Sequence, residues 1–252
     1  MKKLLILFTA AVAACGSLFA GEVDLGVWSS YQTSEQWGWR HYCILTNETY
    51  GWAFSVDANT SDNDYSGNYD LPKHTCNLTG ICGTPPQLSP LIFPDQVAPT
   101  GKTFVCTIGK LAFKFSGSRT AADRVAMIGF PQQIRTIATS AFATCSNATG
   151  RIVFPASLKT LGESAFYRCP NLILPGDGLL PSLTTIPGSC FRDGVQIDGD
   201  LDLAHVVTVG AQAFRDCKTL KFIKFGPHLE TIGGGWQVGA FMGCTALTNI
   251  VT

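Results

Sequence analysis

The chain repeats a short motif in which a small residue is followed by phenylalanine, and this periodicity limits the possible folds more than any other feature. The motif occurs five times at spacings of 23 to 27 residues. A unit this short cannot bury its own apolar face, so it must stack on copies of itself. The sequence therefore predicts a solenoid in which equivalent residues form columns through the core. The five motifs are Ala141-Phe142, Ala165-Phe166, Cys190-Phe191, Ala213-Phe214 and Ala240-Phe241.

Two residue types define the predicted columns. Stacked phenylalanines should contribute most to stability, at about 1.5–3 kcal/mol for each fully buried side chain. Three residues after the phenylalanine, cysteine recurs in four units and Gly194 replaces it once. We interpret these cysteines as small buried apolar groups. Cys190 aligns with the alanines of the other motifs, so we interpret it as a core residue and not as a thiol nucleophile. The columns contain Phe142, Phe166, Phe191, Phe214 and Phe241, and Cys145, Cys169, Cys217 and Cys244.

The units resemble BspA-type leucine-rich repeats. The segments FPASLKTLGESAFYRC at residues 154–169 and LKFIKF at residues 220–225 are similar to the family's pattern of an aliphatic strand, an aliphatic-glycine pair, Ala-Phe and Cys. Residues 91–113 resemble the family's opening unit and add Phe113 to the phenylalanine column, so that the resemblance covers about residues 88–252 in six units. It implies a mainly β fold, a right-handed leucine-rich repeat coil with a parallel β-sheet on one face, in surface or secreted proteins used for binding.

One strand position within this pattern stays open. Between Cys169 and Leu183, both Leu174-Pro175 and the later Leu180-Pro181 could supply the aliphatic-proline end of a strand. The register of this turn is therefore not predicted.

Composition divides the chain into residues 1–20, 21–90 and 91–252. Residues 1–20 combine two lysines, an apolar run and small residues before Gly21, which is typical of a secretory signal peptide. Residues 12–15 also resemble a bacterial lipobox, so a lipid anchor at Cys15 stays open. Residues 21–90 lack the repeat and are predicted to form a small β-rich cap, followed by the solenoid of about six repeats at 91–252. The expected location is secreted or at the cell surface, with an outer-surface lipoprotein as the alternative.

Four further cysteines fall outside the regular column. An exported protein can form disulfides, and four cysteines allow three pairings. Cys76 and Cys82 are close enough in sequence to suggest a local disulfide between them. Zinc binding is the less favoured interpretation, because their spacing lacks a Cys-x2-4-Cys knuckle. The candidates for disulfides are Cys43, Cys76, Cys82 and Cys106.

The sequence contains no recognisable catalytic or cofactor motif. Its four histidines are scattered, and no HExxH, Gly-x-Ser-x-Gly or P-loop pattern occurs. The formal net charge of zero gives no electrostatic reason to expect nucleic acid as a partner. No apolar run is long enough for a transmembrane segment. We therefore predict a protein without enzyme activity, metal or cofactor.

The predicted sheet face is the candidate partner-binding surface. In the segment DGDLDL at residues 198–203, inward leucines turn Asp200 and Asp202 outward. Carboxylates suit calcium, but the EF-hand continuation with glutamate is absent, so a solvated acidic stripe is favoured. The expected partner is a protein or a glycan, extracellular or from a host, and because the charge of the face is mixed, no partner class stands out. A structural spacer without a ligand is the alternative. The candidate residues are Arg151, Val153, Asp200, Asp202, Phe222 and Lys224.

Overall fold

The computed structural model describes residues 28–36, 40–59, 75–83, 85–93, 96–97, 103–109, 122–130, 132–177, 179, 182–235 and 238–252. These residues form short β-strands joined by turns, with a single 3-10 turn at Ala122–Arg124 in the described part. From residue 103 onward, consecutive coils stack through parallel pairing. The predicted fold class, a mainly β repeat solenoid, is confirmed.

An antiparallel meander occupies the N-terminal part. It consists of β1 (Trp28–Gln36), β2 (Arg40–Asn47), β3 (Ala53–Asn59) and β4 (Thr75–Gly83). Trp52 and Phe54 are fully buried with ring centroids 6.1 Å apart, and the indole Nε1–H of Trp52 donates to the carbonyl of Pro90 over 3.0 Å. Trp52 and Phe54 thus belong to the core.

The first coil joins this meander to the repeats. It contains β5 (Ser89–Ile92), β6 (Gln96–Val97), β7 (Thr103–Ile108) and β8 (Val125–Gly129). β7 pairs with β4 in parallel and with β6 antiparallel, whereas β5 pairs with β8 in parallel. Because β7 also pairs with the first strand of the repeats, one sheet runs from the meander into the solenoid.

The repeats contribute strands on two sides of the coil. In chain order they are β9 (Thr136–Ile137), β10 (Gly150–Arg151), β11 (Thr160–Leu161), β12 (Leu172–Pro175), β13 (Thr185–Ile186), β14 (Gln196–Asp198), β15 (Leu201–Leu203), β16 (Thr208–Val209), β17 (Phe222–Phe225), β18 (Thr231–Ile232) and β19 (Asn249–Val251). We call β10, β12, β14, β15, β17 and β19 the face strands and β9, β11, β13, β16 and β18 the back strands. The back strands form a second set of parallel ladders in addition to the predicted sheet.

The phenylalanine motifs form the third side of each coil. There, the N–H of one phenylalanine donates to a carbonyl of the next coil, as from Phe142 to Ala165 and from Phe166 to Cys190, over 2.8 and 2.9 Å. From Phe142 to Phe241, successive ring centroids are 5.4 to 5.7 Å apart, with planes within 18° of parallel. The ring column and the backbone ladder therefore hold the coils in one register.

Close approach of adjacent coils explains the aliphatic-glycine pair. A Cβ on Gly162 would lie 2.2 Å from the backbone nitrogen of Thr139 in the preceding coil. Gly194 has a different constraint, because its φ is +137° and a Cβ there would lie 2.8 Å from Cα of Pro170. The interruption of the cysteine column at this position thus follows from backbone conformation and from the neighbouring proline.

The structure also fixes the strand position that the sequence left open. β12 ends at Pro175, so Leu174-Pro175 supplies the aliphatic-proline end. Leu174 is fully buried, and β12 pairs with β10 on one side and with β14 on the other. Leu180 and Pro181 lie outside the described residues.

Candidate binding face

The face strands turn one set of side chains into the core and the other set outward. Leu201 and Leu203 on β15 are buried, and so are Ile223 and Phe225 on β17. Because side chains alternate along a strand, the residues between them point to the outer surface. The surface formed by the outward residues of the face strands is called the binding face below.

A first group of candidate residues lies around β10. Arg151 on β10 forms an ion pair with Asp198 at the end of β14, so the guanidinium reaches across the intervening strand β12. Nε of Arg151 is buried and makes no hydrogen bond within the described structure. Val153, two residues farther along, is 41% exposed. This end of the binding face therefore combines a paired cation with an exposed aliphatic side chain.

A second group lies on β15 and β17. Asp202 pairs with Lys224 in the strand register, and their Oδ2 and Nζ atoms are 3.6 Å apart. The other carboxylate oxygen of Asp202 accepts the N–H of Ala204 over 2.9 Å. Phe222, two residues before Lys224, is half-buried. Exposed ion pairs of this kind stabilise a fold by about 0–1 kcal/mol, so they shape the charge of the surface more than the stability.

Asp200 lies between the two groups, where the strand is interrupted. The backbone N–H of Gly176 donates to the backbone carbonyl of Asp198 over 2.7 Å. The carbonyl of Gly176 accepts the backbone N–H of Asp202 over 2.8 Å. Gly176 of the neighbouring coil thus forms hydrogen bonds on both sides of Gly199 and Asp200, the two residues that separate β14 from β15. The Asp200 side chain is exposed, and no ion pair to it occurs in the described structure. The six candidate residues therefore lie on one side of the solenoid, in two groups that Asp200 separates.

Sequence reasoning missed a row of charged side chains at the first and second positions after the phenylalanines. The Asp193 carboxylate contacts the Nε atoms of both Arg168 and Arg192 at 3.3 Å. The two guanidinium carbons lie 5.1 and 5.4 Å from the ring centroid of Tyr167. Charged residues occupy these positions in three of the five units, so the spacing from the phenylalanine could have identified this row.

A groove lies beside this row where Gly194 interrupts the cysteine column. Its volume is about 630 Å³, and it is open to solvent. The Gln196 amide donates to the carbonyl of Pro170 over 3.1 Å, and Oγ1 of Thr219 accepts the N–H of Ile197 over 2.6 Å. These polar groups connect adjacent coils. The groove is lined by Pro170, Asp193, Gln196, Asp216, Lys218 and Thr219, among others.

The column cysteines and Cys190 are free thiols, and three of them connect adjacent coils. Burial is the main cause that raises the pKa of Cys145, Cys190 and Cys217 well above the ordinary thiol value of 9.0, and it raises the pKa of Cys244 to about 11. These groups stay protonated at neutral pH and are poor nucleophiles. In three coils the thiol donates to the carbonyl of the phenylalanine of the preceding coil. The pairs are Cys169 with Phe142 at 3.2 Å, Cys217 with Phe191 at 3.3 Å and Cys244 with Phe214 at 3.1 Å.

The backbone positions of the other cysteines limit how they can pair. Cys76 and Cys82 lie on the same strand β4, where six residues span about 20 Å. A disulfide requires Cα atoms within about 7 Å, so the local bridge suggested by the sequence is wrong for the folded chain. Cys43 lies on β2, separated from β4 by β3, whereas Cys106 lies on β7 beside Cys76 at a register irregularity.

Other sequence predictions fall on residues that are not described. Phe113, Cys15 and the signal peptide at residues 1–20 lie outside the described ranges. In the described segments, no three His, Cys, Asp or Glu side chains come together in a way that could hold a metal ion. None of the described helical residues belongs to a helix that is long and apolar enough to span a membrane.

Comparison with known proteins identifies the repeat. Residues 107–248 match the model of the BspA type leucine rich repeat region in six copies. Among solved structures, the chain is similar to a leucine rich cell surface protein from Faecalibacterium prausnitzii, with 17% identity and a TM-score of 0.48 over 79% of this chain and 52% of that one. It is similar to the T. pallidum leucine rich repeat protein, with 20% identity and a TM-score of 0.42 over 76% of this chain and 82% of that one. It is also similar to a leucine-rich repeat protein from Bacteroides ovatus, with 19% identity and a TM-score of 0.27 over 63% of this chain and 56% of that one. This chain spans about half the length of the first of these. No curated protein sequence matches it.

Proposed function

The chain belongs to the BspA-type leucine-rich repeat family, and from this premise we propose that it is a non-catalytic binding protein, secreted or at the cell surface, that holds a protein partner on its binding face. The observation that carries the proposal is the composition of this face. Exposed Val153 and half-buried Phe222 lie beside ion-paired charges and beside Asp200, a carboxylate without an ion pair among the described residues.

This mixture favours a protein over other partner classes. Protein interfaces combine aromatic and arginine side chains in their centre with a polar rim. Arg151 and Lys224 are each paired with an aspartate, so the face offers no free cluster of positive charge to an anionic polymer. Asp200 adds a single negative site, which fits a lysine or arginine of the partner.

The chemistry of the described residues supports a non-catalytic role. Burial raises the pKa values of the Cys190 and Cys217 thiols, which therefore remain protonated and are disfavoured as nucleophiles. The charged pairs of the binding face are exposed and lie outside any enclosed pocket, whereas catalytic groups usually work in clefts that exclude water. The proposed location rests on the signal-like residues 1–20.

Binding to immobilised extracellular proteins and to a glycan array tests the proposal. We expect saturable binding to a protein that Asp200→Lys and Phe222→Ala each weaken by about tenfold or more, which corresponds to about 1.4 kcal/mol. Glu163→Lys is the matched control, because Glu163 is exposed just after back strand β11. Saturable binding to glycans alone would contradict a protein partner, and absence of binding to either would favour the structural spacer.

A further inference from the structure

The groove beside Gly194 lies where one coil lacks an exposed turn. In the coils of Phe166 and Phe214, two exposed residues follow the column cysteine before the next buried leucine. In the coil between them, buried Val195 follows Gly194 directly. The shortened coil therefore forms the floor of the groove, and the turns of its neighbours form the walls. Pro170 lines one wall, and Lys218 and Thr219 line the other.

The wall formed by Lys218 and Thr219 presents hydrogen-bond donors. Oγ1 of Thr219 accepts the N–H of Ile197 over 2.6 Å, and its own hydroxyl hydrogen has no acceptor among the described residues. The Lys218 ammonium is exposed and forms no ion pair within the described ranges. An occupant of the groove must therefore supply acceptors on this side, and a negative charge is favoured beside Lys218.

Two carboxylates that also line the groove supply acceptors. Asp193 contacts Arg168 and Arg192, whereas Oδ2 of Asp216 lies 3.1 Å from Nε of Arg215. These arginines compensate the charges of both carboxylates, which keep further lone pairs for other donors. The carboxylates therefore suit neutral donors such as hydroxyl groups better than a further cation.

The opposite wall and the floor offer no place for an added side chain. Pro170 has no N–H, and its carbonyl accepts from the Gln196 amide over 3.1 Å, so its exposed ring is an apolar wall. Val195 is fully buried, and even a Cβ on Gly194 would lie 2.8 Å from Cα of Pro170. An extended peptide points its side chains alternately to opposite faces, and those directed at this floor would clash.

We propose that this groove binds a saccharide that carries a carboxylate. A sugar hydroxyl both donates and accepts hydrogen bonds, so neighbouring hydroxyls can donate to Asp193 or Asp216 and accept from Thr219. The carboxylate pairs with Lys218, and the C–H face of the ring packs on Pro170. The groove volume of about 630 Å³ lies within the range of about 300–1,000 Å³ that small-molecule sites occupy.

Isothermal titration calorimetry of the purified chain tests the site with matched pairs of sugars. The acidic probes are sialyllactose and trigalacturonic acid, and their neutral counterparts are lactose and methyl-esterified trigalacturonic acid. We expect at least one acidic probe to bind with a dissociation constant of about 1 mM or lower, and about tenfold or more tighter than its counterpart. Absence of binding by both acidic probes, or equal affinity for an acidic probe and its counterpart, would overturn the proposal.

Variants of the chain locate the binding. Lys218→Met should weaken binding of the acidic probe by about tenfold or more, because the probe loses its charged partner. Lys159→Met is the matched control, since Lys159 is exposed just before back strand β11. Inserting Pro-Asn between Gly194 and Val195 restores the turn and should abolish binding, with circular dichroism as the check of folding. Undiminished affinity in Lys218→Met, or in a folded insertion variant, would contradict the site.

Two further controls separate this site from other ones. The groove includes none of the six candidate residues of the binding face, so Asp200→Lys should leave the affinity for the acidic sugar unchanged. The groove and the protein-binding proposal can therefore fail independently. Hexaglutamate tests an acidic peptide, and binding of this peptide more tightly than both acidic sugars would overturn the assignment to a saccharide.

Discussion

The thiol hydrogen bonds explain why cysteine, and not alanine, recurs after the phenylalanine. Alanine could fill a similar space, but it could not donate to the phenylalanine carbonyl of the preceding coil, as Cys169 and Cys217 do. The sequence predicted small buried groups at these positions. It could not predict the hydrogen bond, because the bond depends on the axial offset between two coils.

Replacing a phenylalanine in the middle of the phenylalanine column by alanine should destabilise the fold strongly. Phe166 is fully buried between two stacked rings, so Phe166→Ala should lower the free energy of unfolding by about 3–5 kcal/mol. Among the described rings Phe241 stacks on Phe214 alone, and it is partly buried, so in this chain Phe241→Ala should lower the free energy of unfolding by less than half as much. Denaturant titration measures both values. Equal losses for the two variants would contradict the column.

Stability should fall at alkaline pH because of the buried thiols. The pKa values of Cys190, Cys217 and Cys244 are raised in the folded chain by burial, whereas unfolded thiols titrate near 9.0. Below that pH the thiols are protonated in both the folded and the unfolded chain, so their contribution to the free energy of unfolding is constant. Above it only the unfolded state releases protons, so the free energy of unfolding should fall by up to about 1.4 kcal/mol per pH unit for each such thiol.

Denaturant titrations between pH 7 and pH 10.5 measure this dependence, over a range of about three and a half units chosen to span the ordinary thiol pKa. Cys190→Ala removes one buried thiol and should make the decline less steep. An unchanged slope in this variant, or stability that rises with pH, would contradict the assignment of Cys190 to the core.

At the scale of the strands, the repeat predicted which residues point inward but not how the coils are joined. Leu201 and Leu203 are buried as the alternation indicated. The back strands are only two residues long, too short to give a recognisable alternation. The Arg151–Asp198 pair spans β12, whose register the sequence left open, so this contact could not be predicted.

The strand pairing leads us to expect one particular disulfide among the four candidate cysteines. Cys106 lies on β7 at the irregularity that follows the pairing of Cys76 with Val105, so the two cysteines lie on neighbouring strands. Adjacent strands are about 4.8 Å apart, which a disulfide can span. We expect peptide mapping of the oxidised protein to find Cys76 linked to Cys106. A bridge that links Cys76 to Cys82 would contradict the described β4.

At the scale of the whole molecule, stability is a sum over stacked coils, so each coil depends on its neighbours. The interior thiols have a coil on both sides, whereas Cys244 lies in the last described coil and is only partly buried. Local opening should therefore expose Cys244 before the thiols that have a described coil on both sides. The order in which the cysteines become reactive reports the register of the entire stack.

Differential alkylation of the native protein, followed by peptide mapping, measures this order most directly. The stacked-coil account predicts that Cys244 reacts first and slowly, because its pKa is about 11, and that Cys145, Cys169, Cys190 and Cys217 react only after denaturation. Peptides from the protein denatured before labelling provide the control for full reactivity. Rapid labelling of Cys169 and Cys217 in the native state would place these thiols on the surface and contradict the register of the solenoid.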